Sequence, residues 1–230
     1  MIAFRDRFCA EEGLDLLVHS NEQGRADGVN PFDYGSRKYT DLMKTQALLQ
    51  ALKNGKYDLA FGGARRDEEK SRAKERVFSF RDKHQQWDPK NQRPELWSIY
   101  NARVNPGEHM RVFPLSNWTE MDVWEYIKHE RLEVPSIYFS HQRRCVRRNG
   151  QWLPVSDLLP PKPNETVDDL VVRVRTNGDI ISTGLVESPA NTVDDISAEI
   201  AAARVTERGS RADDKSSEAA MEDRKKQGYF

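Results

Sequence analysis

The stretch from residue 57 to residue 76 constrains the fold and the function of this chain more than any other. A short apolar run, Leu59 to Phe61, ends in the glycine pair Gly62 and Gly63. The paired arginines Arg65 and Arg66 then open a dense block of mixed charge. In many α/β proteins an apolar strand followed by glycine brings ligand-binding side chains to the carboxyl edge of the sheet. The arginine fork pairs two oxygens of a phosphate or a sulfate at once. We therefore expect an anion site here, with an exposed helix face of offsetting ion pairs as the open alternative.

Three acidic residues directly follow the arginines: Asp67, Glu68 and Glu69. They would either hold the arginines in place or help to coordinate a metal–nucleotide, and simple charge neutralisation explains them equally well. Neither of two common phosphate-binding loops, GxxxxGK[ST] or GxGxxG after a strand, occurs in the chain. The histidines are scattered without metal spacing, so we expect no metal site made by the protein.

The composition argues against several classes of protein. A net charge of −1 argues against a dedicated nucleic-acid binder, because the chain lacks a global basic field. Two cysteines without a CxxC spacing, Cys9 and Cys145, make no disulfide framework, so a reducing cytoplasm is the expected compartment. No apolar run approaches the length of a membrane span, and no signal peptide opens the chain.

Hydrophobic periodicity predicts an α/β domain over 1–133, followed by a carboxyl-terminal extension over 134–230. After an amino-terminal helix, the first domain is predicted to contain a buried strand from Leu14 to Val18, a helix from Thr40 to Leu52 and the strand from Tyr57 to Phe61. This alternation of helices and strands is typical of a three-layer fold in which helices flank a mostly parallel sheet.

The end of the first domain carries one long loop and two further elements. Residues 82–107 are predicted to be a loop, and a stretch of this length is usually functional or mobile. A short strand is predicted from Arg111 to Leu115. The spacing of Thr119 to Asp122 is that of a capping box, which predicts a helix start.

The extension is predicted to be largely irregular. The arginine cluster from Arg143 to Arg148 is interpreted as a solvated turn, with a partner surface as the alternative. A proline-rich linker covers Pro160 to Pro163, and a second βα-like unit is predicted around 170–174 and 192–203. The charged tail from Glu207 to Lys226 is predicted to be a loose helix or disordered.

Three long motifs and the end of the chain carry a resemblance to a known family. They span 62–76, Trp87 to Trp97, Val112 to Trp124 and Lys225 to Phe230. These segments resemble the small subunit of bacterial ATP sulfurylase, the sulfate adenylyltransferase subunit 2 family. That family is part of the adenine-nucleotide α-hydrolase-like group, alongside phosphoadenylylsulfate reductases. The resemblance covers essentially the whole chain.

The resemblance implies an activity, substrates and a partner. The family transfers the adenylyl group of ATP to sulfate, which gives adenylylsulfate and pyrophosphate in sulfate assimilation. It implies ATP with Mg²⁺ as substrate, and a GTPase large subunit as partner, whose GTP hydrolysis drives the reaction. Neither a nucleic acid nor a membrane is expected as a partner.

The resemblance also assigns expected roles to the residues of the first motif. Arg65 and Arg66 match the family's arginine motif, so we expect them to be catalytic and to face phosphate or sulfate oxygens. We expect five neighbouring residues to bind the nucleotide: Gly62, Gly63, Asp67, Glu68 and Lys70.

Two departures from the family pattern bear on activity. The family carries a Ser-Gly-Gly-Lys-Asp-Ser-like loop that cradles pyrophosphate, and this loop is absent from the sequence, as are the first strands that precede it. The segment Arg175 to Asp179 departs from the family's Arg-Thr-Leu-Gly-Cys, so no role is expected for Asp179. A catalytically weak subunit that only binds its partner is therefore the alternative function.

Two other functions compete with these. A phosphoadenylylsulfate reductase needs a reactive cysteine, typically near the carboxyl terminus, because a thiolate must attack sulfur. No cysteine follows Cys145, which argues against this chemistry. A nucleic-acid binder is a more distant alternative, because the arginines are neutralised locally.

Overall fold

The computed structural model describes residues 1–68, 72–148, 150–178 and 183–203. Two compact units alternate along the chain. The first, here called the sheet unit, comprises residues 14–66 and 72–117. The second, here called the barrel unit, comprises residues 1–13, 67–68 and the described residues from Trp118 onward. The domain boundary after residue 133 stays a prediction, and the charged tail over 207–226 lies outside the described residues.

Helices and strands are numbered in chain order. The helices are α1 (Ile2–Glu11), α2 (Glu22–Ala26), α3 (Pro31–Tyr34), α4 (Ser36–Thr40), α5 (Gln46–Gly55), α6 (Glu120–Glu130) and α7 (Val193–Ala202). The strands are β1 (Leu59–Phe61), β2 (Phe78–Arg81), β3 (His109–Val112), β4 (His141–Arg148), β5 (Gln151–Pro154), β6 (Val167–Val174) and β7 (Leu185–Glu187).

Three strands in the order β1-β3-β2 form the sheet of the sheet unit. β1 is parallel to β3, and β2 is antiparallel to β3. The amphipathic α5 precedes β1 and ends at Gly55, and the left-handed backbone of the capping residue Lys56 turns the chain toward the strand. The predicted α/β class is confirmed, although the described sheet has one parallel and one antiparallel pairing rather than mostly parallel ones.

Alternation along β2 and β3 sorts their side chains onto two faces of the sheet. Ser79 lies opposite Arg111 and Arg81 lies opposite His109, so these four residues share one face. All four are buried, with relative exposures between 0 and 2%. The other face is apolar and carries Phe78, Phe80, Met110 and Val112. The sheet therefore buries a polar, basic face as well as an apolar one.

The barrel unit contains a closed antiparallel barrel in the strand order β4-β5-β7-β6. Two apolar clusters of buried residues involve its strands, one consisting of Cys145, Val172, Val174 and Leu185, and the other of Val146, Leu153 and Leu159. Helices α6 and α7 both begin with a capping box, at Thr119 and Thr192. Trp124 and Ile196 pack these two helices together, and Lys128 forms an ion pair of 2.5 Å with Asp194.

Several predicted elements are confirmed, and others are wrong. The strand before the glycine pair, the strand overlapping residues 111–115 and the helix opened at Thr119 are all present. The predicted strand at 14–18 is wrong, because these residues form no strand and Leu17 and Val18 are more than half exposed. The predicted turn at 143–148 lies inside β4, and regular strands replace the irregular extension. The strand and the helix predicted around 170–174 and 192–203 are present as β6 and α7, although β6 is antiparallel to its neighbours and β7 lies between the two elements.

Candidate functional site

The loop after β1 is attached to the segment that follows β3. The Gly62 amide donates to the Val112 carbonyl at 2.9 Å and so extends the parallel pairing by one residue. The Arg66 amide donates to the Ser116 carbonyl at 2.9 Å. The backbone from Gly62 to Arg66 therefore crosses the carboxyl end of β1 and β3, the edge at which α/β sheets bind ligands.

Gly63 lies open in the middle of this loop. It is exposed, and a Cβ added there would meet no atom within 4 Å. Its φ angle lies outside the left-handed region that favours glycine. Neither packing nor backbone conformation within the described residues requires glycine here, which leaves close approach of a ligand as a physical reason for it.

The Arg66 side chain is held in place on three sides. Its Nε donates to the Glu75 carbonyl at 2.9 Å, and its Nη1 donates to Oδ1 of Asn117. Its Nη2 lies 3.7 Å from Oε2 of Glu95, which is beyond hydrogen-bonding distance. The guanidinium is therefore oriented in advance, and one nitrogen keeps the capacity to donate to a ligand oxygen.

Glu95 supports the site from the long segment between β2 and β3. Its two carboxylate oxygens accept from the amides of Val77, at 3.1 Å, and Phe78, at 2.7 Å. It thereby fixes the start of β2 beside Arg66. Together with Arg66, Arg76, Ser98, Tyr100 and Asn117, Glu95 lines a pocket of about 230 Å³.

The remaining predicted site residues are distributed over both units. Gly62, Gly63, Arg65 and Arg66 lie in one loop of the sheet unit, where Arg65 is buried. Asp67 and Glu68 are in the barrel unit. Oδ2 of Asp67 accepts from the Glu120 amide at 3.1 Å, which stabilises the first turn of α6, and Glu68 is buried. Lys70 lies outside the described residues.

On the buried basic face of the sheet unit, the protonated forms of all three basic side chains are disfavoured. Burial lowers the pKa of Arg81 to about 10, despite Glu75 at 3.8 Å, and lowers the pKa of Arg111 to about 9, with the charge of Arg81 as a further cause. Burial first, and then Arg111 and Arg81, lower the pKa of His109 to about 4. Nη1 of Arg111 lies 3.1 Å from Nδ1 of His109, a distance at which a neutral imidazole accepts the hydrogen bond.

Comparison with known proteins identifies the family. The phosphoadenosine phosphosulfate reductase domain matches residues 1–184. The chain is 61% identical to sulfate adenylyltransferase subunit 2 of Akkermansia muciniphila, and the match covers the whole chain and 76% of that relative. The chain belongs to the sulfate adenylyltransferase subunit 2 family. Proteins of the same name from Chromohalobacter salexigens and Methylococcus capsulatus are 55% and 54% identical, again over the whole chain and 76% of each relative.

The two cysteines, both within the described part of the chain, bear on the reductase alternative. Cys145 is fully buried in the barrel, and its thiol lies 3.4 Å from the Arg143 carbonyl. Burial raises the pKa of this thiol, which opposes formation of a nucleophilic thiolate. Cys9 is partly exposed on α1. The environment of Cys145 therefore gives no support to thiol chemistry in this family member.

The described residues contain neither a metal-binding cluster nor a membrane-spanning helix. Among them, no set of three or more His, Cys, Asp or Glu side chains is arranged to hold a metal ion. No helix within the described ranges is both long and apolar enough to span a membrane.

The sequence alone did not identify the two side chains that lie beside Arg66 and orient it, Asn117 and Glu95. Asn117 and Glu95 lie within the motifs Val112 to Trp124 and Trp87 to Trp97, which carried the family resemblance. The motifs therefore indicated that these segments are important. They did not indicate which residues contact Arg66, because Glu95 and Asn117 are 29 and 51 positions away in the sequence.

Proposed function

We propose that this protein transfers the adenylyl group of ATP to sulfate, forming adenylylsulfate and pyrophosphate. The observation that carries the proposal is the orientation of Arg66 at the edge of the sheet, in a chain that aligns over its full length with relatives named for this activity. Its substrates would be MgATP and inorganic sulfate.

The reaction is a displacement at phosphorus. A sulfate oxygen attacks the α-phosphorus of ATP, and the bond from that phosphorus to the β-bridging oxygen breaks. Pyrophosphate leaves with the electron pair of the broken bond. Because sulfate is itself the nucleophile, the protein has to position two anions and to stabilise negative charge, and needs no nucleophilic side chain.

Arg66 suits the second requirement. Its contacts with Glu75 and Asn117 fix the guanidinium before substrate arrives, so little reorganisation accompanies the reaction. Gly62 and Gly63 keep the loop free of side chains where the ligand would approach. Arg65 belongs to the same loop and would complete the basic edge.

We propose that the chain works as one subunit of a complex. The relatives are named subunit 2, and the family resemblance implies a GTPase large subunit that binds GTP. Mg²⁺ would arrive on the phosphates of ATP, since a magnesium ion bound to a nucleotide needs few protein ligands.

The proposal is tested on the complex isolated from its source by means of this chain. The complex is supplied with MgATP, GTP and radiolabelled sulfate, and adenylylsulfate and pyrophosphate are quantified. We expect the two products in equal amounts and only when sulfate is present. A complex that assembles but neither binds ATP nor forms adenylylsulfate would support the alternative of a partner-binding subunit.

A further inference from the structure

The pocket beside Arg66 is lined by a second arginine, Arg76. Arg76 is exposed, lines this pocket of about 230 Å³, and makes no hydrogen bond or ion pair with the residues that the structure describes. Arg66, on the same pocket, is fixed by Glu75 and Asn117. One guanidinium is therefore held in place, and the other remains available.

Among the described residues, the one carboxylate that lines the pocket is already hydrogen-bonded to the protein backbone. Glu95 is the carboxylate of the lining, and its oxygens already accept from two backbone amides at the start of β2. Ser98 and Tyr100 add polar groups to the wall. Two cations against one hydrogen-bonded carboxylate leave the pocket net positive, which favours an anion over a neutral or basic ligand.

The wall of the pocket also carries unusual backbone conformations. Trp97 and Ser98 are consecutive non-glycine residues with φ angles of 53° and 58°, in the left-handed region. Such conformations are sparsely populated for these residue types and concentrate at ligand-binding segments. The Trp97 side chain is 87% exposed. Ser98 lines the pocket, and its conformation is an observation independent of charge that is consistent with a ligand-binding wall.

We propose that this pocket binds a tetrahedral oxyanion, with Arg76 as the side chain that receives it and Arg66 as its fixed counterpart. The proposal rests on the proposed function and deepens it, because sulfate and the ATP phosphates are the oxyanions of that reaction. A planar guanidinium recognises such an ion through two parallel hydrogen bonds, which a lysine does not reproduce.

Binding is measured without turnover, so that this inference stands or fails separately from the adenylyl transfer. Equilibrium dialysis of the full chain against radiolabelled inorganic sulfate, and separately against radiolabelled ATP, is carried out at constant ionic strength. The variants are Arg76→Ala, Arg76→Lys and the control Arg103→Ala. Arg103 is an exposed arginine of the same unit that does not line this pocket.

We expect Arg76→Ala to weaken binding of one oxyanion by about 10- to 100-fold, the usual loss for a charged hydrogen bond. Arg76→Lys should recover only part of the affinity, and Arg103→Ala should bind like the wild type. A loss confined to sulfate identifies the pocket as the sulfate subsite, and a loss confined to ATP identifies it as a phosphate subsite. Equal unfolding midpoints in all four proteins would exclude a folding defect.

Unchanged binding of both ions in Arg76→Ala would overturn the proposal. Failure of the wild-type chain to bind either ion would overturn it as well. An equal loss in Arg103→Ala would also contradict it, because that result would reflect the overall charge of the chain and not the pocket.

Discussion

The two units of this molecule surround their arginines differently. In the barrel unit Arg148 forms a two-point pair with Glu165, at 2.7 and 2.8 Å, and the pKa of Arg148 is raised by that contact. Arg148 in turn lowers the pKa of Glu165 to about 2. In the sheet unit Arg81 and Arg111 are completely buried, and their pKa values are lowered to about 10 and about 9.

The same contrast extends to the other arginines of the barrel unit. Arg173 pairs with Glu199 at 2.6 Å, and Arg175 makes two hydrogen bonds to Glu120, at 2.9 and 2.6 Å. Paired charges of this kind fix the fold locally, whereas a buried basic face raises the positive potential around it. The comparison therefore separates carboxylate-paired arginines, which hold the barrel unit together, from the buried arginines of the sheet unit, whose charged forms are disfavoured by burial.

Breaking a pair in the barrel unit should have the largest effect. Glu120→Gln removes the carboxylate charge from the buried partner of Arg175. We expect the free energy of unfolding to fall by about 3 to 5 kcal/mol, because the largely buried arginine loses the charge of the carboxylate to which it makes two hydrogen bonds. Chemical denaturation measures this loss. The double variant Glu120→Leu/Arg175→Met should regain most of the stability, and a double variant as unstable as the single one would argue against the charge explanation.

Removing the fixed arginine of the sheet unit should affect activity rather than stability. In the assembled complex we expect Arg66→Ala, and separately Arg65→Ala, to lower the rate of adenylylsulfate formation by two to three orders of magnitude, about the effect of losing one preorganised charge stabiliser. Initial rates at saturating ATP and sulfate provide the measurement, with Arg103→Ala as the control. Wild-type turnover in both loop variants would remove the central claim about this motif.

Acid should destabilise the sheet unit through His109. The pKa of this residue is about 4 in the folded chain against an ordinary 6.5, because burial and two arginines oppose its protonation. The unfolded chain therefore binds a proton that the folded chain does not, and stability falls as the pH falls from 6.5 to 4. The total loss should be roughly 2 to 3 kcal/mol. Unfolding curves at a series of pH values measure it.

The control for this pH dependence is a second histidine variant. His109→Gln keeps a neutral hydrogen-bonding side chain and should flatten the profile between pH 6.5 and 4, whereas substitution of the exposed His84 by Gln should leave it unchanged. A profile that keeps its slope in His109→Gln would contradict the assignment.

Glycine substitutions should give the smallest effects, and the effects should differ between the two units. Gly63→Ala in the sheet unit has open space and no left-handed φ, so we expect stability unchanged or raised by up to about 1 kcal/mol, with ATP binding several-fold weaker. Gly150→Ala in the barrel unit forces alanine to a φ of 76° and should cost about 1 kcal/mol. Thermal melts and ATP dialysis distinguish these outcomes, and unchanged ATP affinity in Gly63→Ala would remove the ligand-approach explanation.

Local signals in the sequence were sufficient for part of the fold. The capping box at Thr119 was recognisable because both of its hydrogen bonds join residues three apart. β1 was recognisable from its short apolar run and the glycines that follow. The apolar run at 14–18 gave the same kind of signal but forms no strand, because a strand also requires a hydrogen-bonding neighbour, which the run itself does not specify.

Nonlocal pairing explains what the sequence did not reveal. The arginines of β4 suggested a solvated turn, yet Arg144 lies opposite Asp169 of β6, and the adjacent Cys145 belongs to a buried apolar cluster. A charge that is exposed on one face of a strand looks the same in the sequence as a charge in a turn. In the same way, the motif predicted Arg66 as a candidate, but its partners Asn117 and Glu95 become visible only in the fold.

The central claim is that the loop after β1 presents Arg66 to an oxyanion of the substrate. The most direct test is an experimental structure of the complex isolated with this chain, bound to adenylylsulfate. The account predicts a sulfate or phosphate oxygen within about 3 Å of an Arg66 nitrogen, with the contacts to Glu75 and Asn117 retained. A ligand bound elsewhere, with Arg66 in contact only with its protein partners, would contradict it.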